Sequence, residues 1–563
     1  MPTESKTIRH IFVPDRLWNP LKIALHKPNR RKGCSAANIA VLAADLASFL
    51  AENLAKGPNL QKILKAVTVV LALAFCGFCE QVLRPTPQNR SPVNVNISNI
   101  VVGSANTAGQ YRMITFDITW DYGWRTSRPP GNWDAAWVFV KYRVGGGDWS
   151  HATLSTLSAE HVSPSGAVIT PPSDGKGVYI YRVDDGTGTF NASDVSLRWN
   201  YGLDHVADDA VVSVNVLGLV MVYIPEGSFY AGDNGSSNAA LTKGSNDNRP
   251  WYITSEDAIE VTDTASDGYY YISSKDFWTD RWNASEDVTG TIFTIPADFP
   301  KGYRAIYCMK YELTQQQYVD FLNLLNSTQA SNRYNPANFN HFGYTISENS
   351  GVYSTTHPDR ACGFISPADG YAYADWAGLR PMTELEFEKI CRGSGNPAID
   401  LEFAWGTTYS KNAVLARGTE SDREYVTNAR ANSYYLEEDF QAQFPLNAGI
   451  FAGPGKSREL SGATYYGVME MSTNLSELCV TIGNSYGRAF TYRNGNGQLA
   501  PDGFNDESFW PLRDGKGGGY RGGCLANERL HMCISVRVEA ALEIDNAHRH
   551  IPWGFRGVRT VTF

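Results

Sequence analysis

Basic residues are in the minority: 49 Lys and Arg stand against 58 Asp and Glu, for a net charge of −9. That balance disfavours non-specific binding to nucleic acid, which depends on neutralising phosphates. No Lys/Arg block interleaved with aromatics offsets it, so no nucleic-acid partner is expected. Cysteine is sparse and scattered, at positions 34, 76, 79, 308, 362, 391, 479, 524 and 533. Such spacing excludes a dense disulfide framework and offers no zinc-type pairing. Charged residues make up only 19% and hydrophobic ones 43%, which excludes a disordered chain. What is abundant is glycine, 51 residues, together with 12% aromatics. The combination suggests turn-rich structure with large side chains available for contact. A chain of 563 residues is too long for one hydrophobic core, so two or more domains are expected.

Near the N-terminus, Lys62 and Lys65 precede an uncharged apolar run from Ala66 to Cys79. A basic flank and a short apolar core are the layout of a secretory signal or anchor, and the run is short for a membrane span. Residues 57–80 are therefore read as a signal-like or anchor segment, behind an N-terminal extension of residues 1–56. The expectation is an exported or cell-surface protein, with membrane association through this segment. Cys76 and Cys79 fall at the end of the run and belong to it, not to a redox motif.

Residues 81–95 are polar and Pro-rich, as a linker is. Period-two alternation follows, with Ile114, Phe116, Ile118 and Trp120 on one face, then Ala136, Val138, Val140 and Tyr142, then Val195, Leu197 and Trp199. Pro-Pro-Gly, Gly-Gly-Gly and Asp-Gly turns separate them, which predicts a small all-β, sandwich-like module over residues 96–216. From residue 217 the pattern changes. Thr314 with Gln317 and Thr383 with Glu386 are capping boxes, while Ser366 followed by Pro367 supplies a cap and a first-turn proline. These predict three helices, the last stopping at Gly393. Beyond Gly393 the chain is rich in Gly, Asn and Asp, with few helical signals.

Several segments, in order, resemble the formylglycine-generating enzyme (sulfatase-modifying factor) family. They are Met221–Gly232, Met309–Asn323, Phe364–Gly393, Ala404–Gly406, Tyr466–Glu477, Arg521–Gly523 and Gly554–Arg559. The resemblance implies an α+β, C-type-lectin-like domain with little regular structure over residues 217–563, carrying an insertion near 234–303. Oxidase members of the family bind copper(I) through two cysteines shortly after the Gly-Gly and oxidise a substrate cysteine. Here Cys524 follows Gly523 directly, Asn527 stands near the first family cysteine, and Cys533 lies at or beside the second. The resemblance extends to the variable proteins of diversity-generating retroelements, whose last segment presents a changeable binding face.

The main expectation is therefore a non-catalytic, ligand-binding protein that contacts a protein or cell-surface ligand. Its face would be Leu525, Asn527, Glu528, Leu530, His531, Asp545, Asn546, His548, Arg549 and His550, whose side chains supply mixed hydrogen-bonding and apolar contact. Arg521, Arg537, Phe555 and Arg556 are expected to buttress these loops. The resemblance also implies calcium, with Asn474 and Glu477 in the position of the family's Asn/Glu motif. The alternative is a copper-dependent oxidase of peptidyl cysteine using Cys524 and Cys533; a third reading is a structural surface or virion protein.

Overall fold

The computed structural model describes residues 93–563 except 246–247, 263–266, 280, 417–423, 429, 437–443, 512, 543–547 and 562–563. The described residues fall in one compact unit. The N-terminal extension, the signal-like segment and most of the linker lie outside them. Among the described residues no helix is long and apolar enough to cross a membrane.

The first elements are strands β1 (Asn96–Val102), β2 (Arg112–Arg125), β3 (Asp134–Val144), β4 (Ala167–Thr170), β5 (Val178–Arg182), β6 (Gly186–Trp199) and β7 (Val212–Ile224). Alternation builds them as the sequence predicts. Ile114, Phe116, Ile118 and Trp120 of β2 pack with Val195, Leu197 and Trp199 of β6 and with Ala136, Val138 and Val140 of β3. β1, β2 and β6 form a three-stranded antiparallel sheet that covers this core from one side.

The other side is shared. β3 carries apolar residues on both faces, and Trp137 and Phe139 point away from the small core into the larger one. A strand apolar on both sides is stable only when both are covered. β7 pairs with β3 along eleven residue pairs, from Asp134↔Val222 to Val144↔Val212. It runs straight through the junction expected at 216/217 and then pairs with β8 (Ile306–Met309). The β module and the following domain thus share one eleven-stranded sheet. Its main order is β11 (Gly518–Arg521), β10 (Ser476–Val480), β9 (Arg380–Thr383), β12 (Gly557–Thr560), β8, β7, β3, β5, β4.

Helices α1 (Gln315–Asn323), α2 (Ser327–Arg333), α3 (Pro367–Trp376) and α4 (Glu384–Arg392) follow; α3 and α4 pack against β9, and α1 packs on α2 and α3. The capping boxes at Thr314/Gln317, Ser366/Asp369 and Thr383/Glu386 are all formed. α4 stops at Gly393, whose φ of 89° is open to glycine at little cost. The region is α+β, preceded by a β-rich part, as the sequence indicates. The insertion is folded in: Trp251, Val261, Tyr271 and Ile295 are buried in the large core.

Candidate active site

Four arginines hold the C-terminal loops, and the sequence singles out three of them. Arg521 of β11 donates to Glu384, Glu388 and the Ile534 carbonyl. Arg537 donates to Glu384 and to the carbonyls of Ala239 and Ile272. Arg556 donates to Glu477, Met309 O and Met469 O. Arg392, at the end of α4, bridges Glu388, Glu402 and Ser535. All four are buried, so each charge depends on its carboxylate partner rather than on water. Helix α4 thus presents acids to the loop segment that follows β11.

The loop itself turns on Gly522 and Gly523, with φ of 86° and 60°. A Cβ on Gly523 would lie 2.9 Å from Met532 Cγ and 3.0 Å from the His531 carbonyl group. The residue before each cysteine, Gly523 and Met532, is therefore packed against the other. We expect Gly523→Ala to cost about 1–3 kcal/mol through forced positive φ and overpacking. Urea denaturation measures it; an unchanged midpoint would contradict this placement of the loop.

Within the loop, Asn527 organises the turn. Its Oδ1 accepts from the Cys524 N–H at 2.9 Å and from the Cys524 thiol at 3.0 Å. The Cys533 thiol donates to the Leu401 carbonyl at 3.3 Å. Burial pushes both thiols up to about 12; nearby Glu539 adds to the rise at Cys524. Asn527 and His531 line a shallow recess, with room for little more than one water, together with Tyr520, Arg521, Gly522, Gly523, Val536, Val538 and Glu539. The His531 Nδ1 is buried there without a hydrogen-bond partner among the described residues. Burial pushes the Glu539 carboxyl up to about 7, and the Asn527 side chain opposes that shift.

The remaining expected contact residues do not form one face. Leu525 is buried in the small core, whereas Glu528 and Leu530 are exposed. Arg549 is clamped by Asp369 through Nε and Nη2 at 2.6 and 2.8 Å. His548 stands against Trp282 and Trp553, and His550 is exposed beside Trp553. Asp545 and Asn546 lie outside the described residues. Asn474 donates to Glu312 and accepts from the Leu446 N–H, while Glu477 accepts from Arg556. Both are buried and engaged in these bonds.

One constellation escapes sequence reading. Asp375 of α3, Asp506 and Glu507 bring carboxylate oxygens within 4.8 Å of one another, an arrangement that can hold a hard cation. The signal was faint: a lone acid inside the apolar helix stretch Ala-Asp-Trp. Asp375 accepts from the N–H groups of Asn496 and Asp506. Burial nevertheless pushes its carboxyl up to about 7. The folded state therefore holds a proton that the unfolded chain releases near pH 4. By linkage, stability carried by this proton is complete below pH 4 and lost as pH rises through 7. Compared with Asp375→Asn, the wild type should lose several degrees of melting temperature between pH 4 and 7. A difference independent of pH would contradict a protonated Asp375.

No curated protein matches this chain. The expectation of a recognition-only, retroelement-diversified face does not stand, because the domain carrying it matches a family of catalytic oxidases. The three-carboxylate cluster, a place for a metal, also favours chemistry over mere contact. The structure gives a physical reason as well. Leu525 and Arg549, expected to meet a ligand, are spent on core packing and on the Asp369 ion pair. Residues 297–561 match the model of the sulfatase-modifying factor enzyme 1-like domain.

Proposed function

We infer that the C-terminal domain is an enzyme that oxidises the thiol of a cysteine presented on a peptide, with copper as its cofactor. The observation that carries this reading is the Gly522–Gly523 turn, which folds the loop bearing Cys524 onto the segment bearing Cys533, inside a domain of the oxidase family. The donor chemistry suits copper(I), a soft ion that favours thiolates and thioethers. Cys524 and Cys533 would hold it, and Met532 lies between the loop ends. Copper supplies oxygen activation when bound.

The chain's own residues do the rest. Both thiols are protonated in the metal-free protein, so loading must release protons. Asn527 fixes the Cys524 side chain, and Phe403, Trp405 and Tyr435 pack around Cys533. The loop between the cysteines is longer than in the oxidase members, with eight residues separating them. Turning a thiol-bearing carbon into an aldehyde with loss of sulfide is a two-electron oxidation. Reducing dioxygen to water takes four electrons, so two added thiol groups, joining as a disulfide, must furnish the other two.

Copper(I) titration under anaerobic conditions tests the reading. We expect one equivalent to bind with release of protons, and binding to be lost when both cysteines are changed to serine. Equal binding by the double variant would remove these residues from the site.

A further inference from the structure

A row of aromatic rings runs from the cysteine loop toward the surface. The Leu525 N–H donates to the Asn474 carbonyl at 2.9 Å, which lays Cys524 against the start of β10. Tyr520 is paired with Leu478 on one side of that strand, and Trp553 with Ser476 on the other. The Tyr520 and Trp553 rings stack, with centroids 5.0 Å apart and planes 14° apart. Trp553 in turn meets Trp282 edge-on at 6.0 Å. Both separations are those of rings in contact. Tyr520 and Trp553 are buried, at 1% and 4% exposed, whereas Trp282 is only half-buried. His548 packs on Trp282 at 4.9 Å and His550 on Trp553 at 5.1 Å, so the outer end of the row lies among the histidines of the last loop.

The rings differ in how readily they part with an electron. A phenol must lose its proton on oxidation, and the Tyr520 hydroxyl is buried without a hydrogen-bond partner among the described residues. Imidazole is harder to oxidise than indole. The carriers are therefore Trp553 and Trp282, with Tyr520 as a positioning residue that holds Trp553 by stacking.

We propose that Trp553 and Trp282 form an electron relay between thiol reductants in solution and the oxidising site at Cys524. The proposal rests on the enzymatic reading above and deepens it. That reaction needs two electrons from added thiols, while a bound peptide covers the site they must supply. An electron withdrawn from Trp553 is replaced from Trp282, and Trp282 is refilled by a thiolate at the surface. After two such passages the two thiols are joined by a new S–S bond, and their two protons are in solvent. The two electrons complete the reduction of dioxygen to water. Only electrons move along the rings, and no bond of either tryptophan breaks.

The test begins on the metal-free full chain, so that it does not depend on turnover. Photogenerated tris(bipyridine)ruthenium(III) removes one electron from exposed indoles, and oxygen additions to tryptophan are mapped by mass spectrometry. In the wild type, Trp282 and the buried Trp553 should both be modified. Trp282→Phe, which keeps a ring against His548, should lose the modification at Trp553, while the half-buried Trp149 keeps its own. Trp553 spared in the wild type, or modified equally in Trp282→Phe, would overturn the relay. A second arm adds copper, dioxygen, dithiothreitol and a cysteine peptide. There Trp282→Phe should keep the wild-type KM and lose kcat severalfold, and Cys524 and Met532 should gain oxygen that the wild type does not. Wild-type kcat and an undamaged loop in that variant would overturn the relay's part in the reaction. A wild type that does not turn over peptide, yet modifies Trp553 through Trp282 in the first arm, would strike the enzymatic reading and leave the relay.

Discussion

Glu384→Ala is expected to remove a large share of the stability of the protein. Glu384 opens helix α4 and is buried with Arg521 and Arg537 on either side. Its Oε2 accepts from Arg521 at 3.1 Å and from Arg537 Nε at 2.6 Å, and its Oε1 accepts from Arg537, Thr481 and the Ile482 N–H. Burial alone would raise the carboxyl, yet Arg537, Arg521 and these hydrogen bonds hold it below the ordinary glutamate value. Alanine leaves Arg521 with Glu388 and takes from the buried Arg537 guanidinium the carboxylate it pairs with. Breaking a buried pair in this way costs about 3–5 kcal/mol, against a total of about 5–15 kcal/mol for a typical folded protein. Equilibrium urea denaturation reads the loss directly. A cost below about 1 kcal/mol would mean that the arginine network does not carry the C-terminal loops.

Cys533→Ser should reduce turnover of a cysteine peptide by at least about a hundredfold, the scale on which loss of a metal ligand or its support is felt. Serine offers a hard oxygen in place of a soft thiolate, so copper(I) is held poorly. The fold should tolerate the change, because the thiol makes only a weak bond to the Leu401 carbonyl. The comparison with Cys391→Ser is instructive. Cys391 is buried on α4 with Phe387 and Ile390 and stands apart from the Gly522–Gly523 loop in sequence. That variant should lose stability without losing chemistry. Activity retained in Cys533→Ser, with both variants folded, would place the reaction elsewhere.

Much of the fold could be read before any coordinates. Thr314, Ser366 and Thr383 announce their helices because a cap needs only a side chain and an N–H three residues on. The alternation of β2 and β6 likewise follows from local sequence, since one face meets one core. β3 shows where local reasoning stops. Its second apolar face, Trp137 and Phe139, has meaning only once β7 ties the β module to the larger domain.

The site was legible in its framework and obscure in its occupants. Arg521, Arg537 and Arg556 were identified as supports, and each is found gripping carboxylates on α4 or β10. Arg549 was expected on a contact face, but its partner Asp369 is 180 residues away and cannot be seen in sequence. The same distance problem hides the meeting of Asp375 with Asp506 and Glu507. Varied residue types along a loop say little about exposure: Leu525 is in the core and Leu530, five residues later, is in solvent.

The central claim is that this domain performs chemistry on a thiol. Purified full-length protein, loaded with copper, is incubated with a cysteine-containing peptide, dioxygen and a thiol reductant, and the peptide is followed by mass spectrometry. The account predicts loss of sulfide and appearance of an aldehyde that a hydrazide captures. A peptide that stays unchanged, with copper bound and the protein folded, would contradict it.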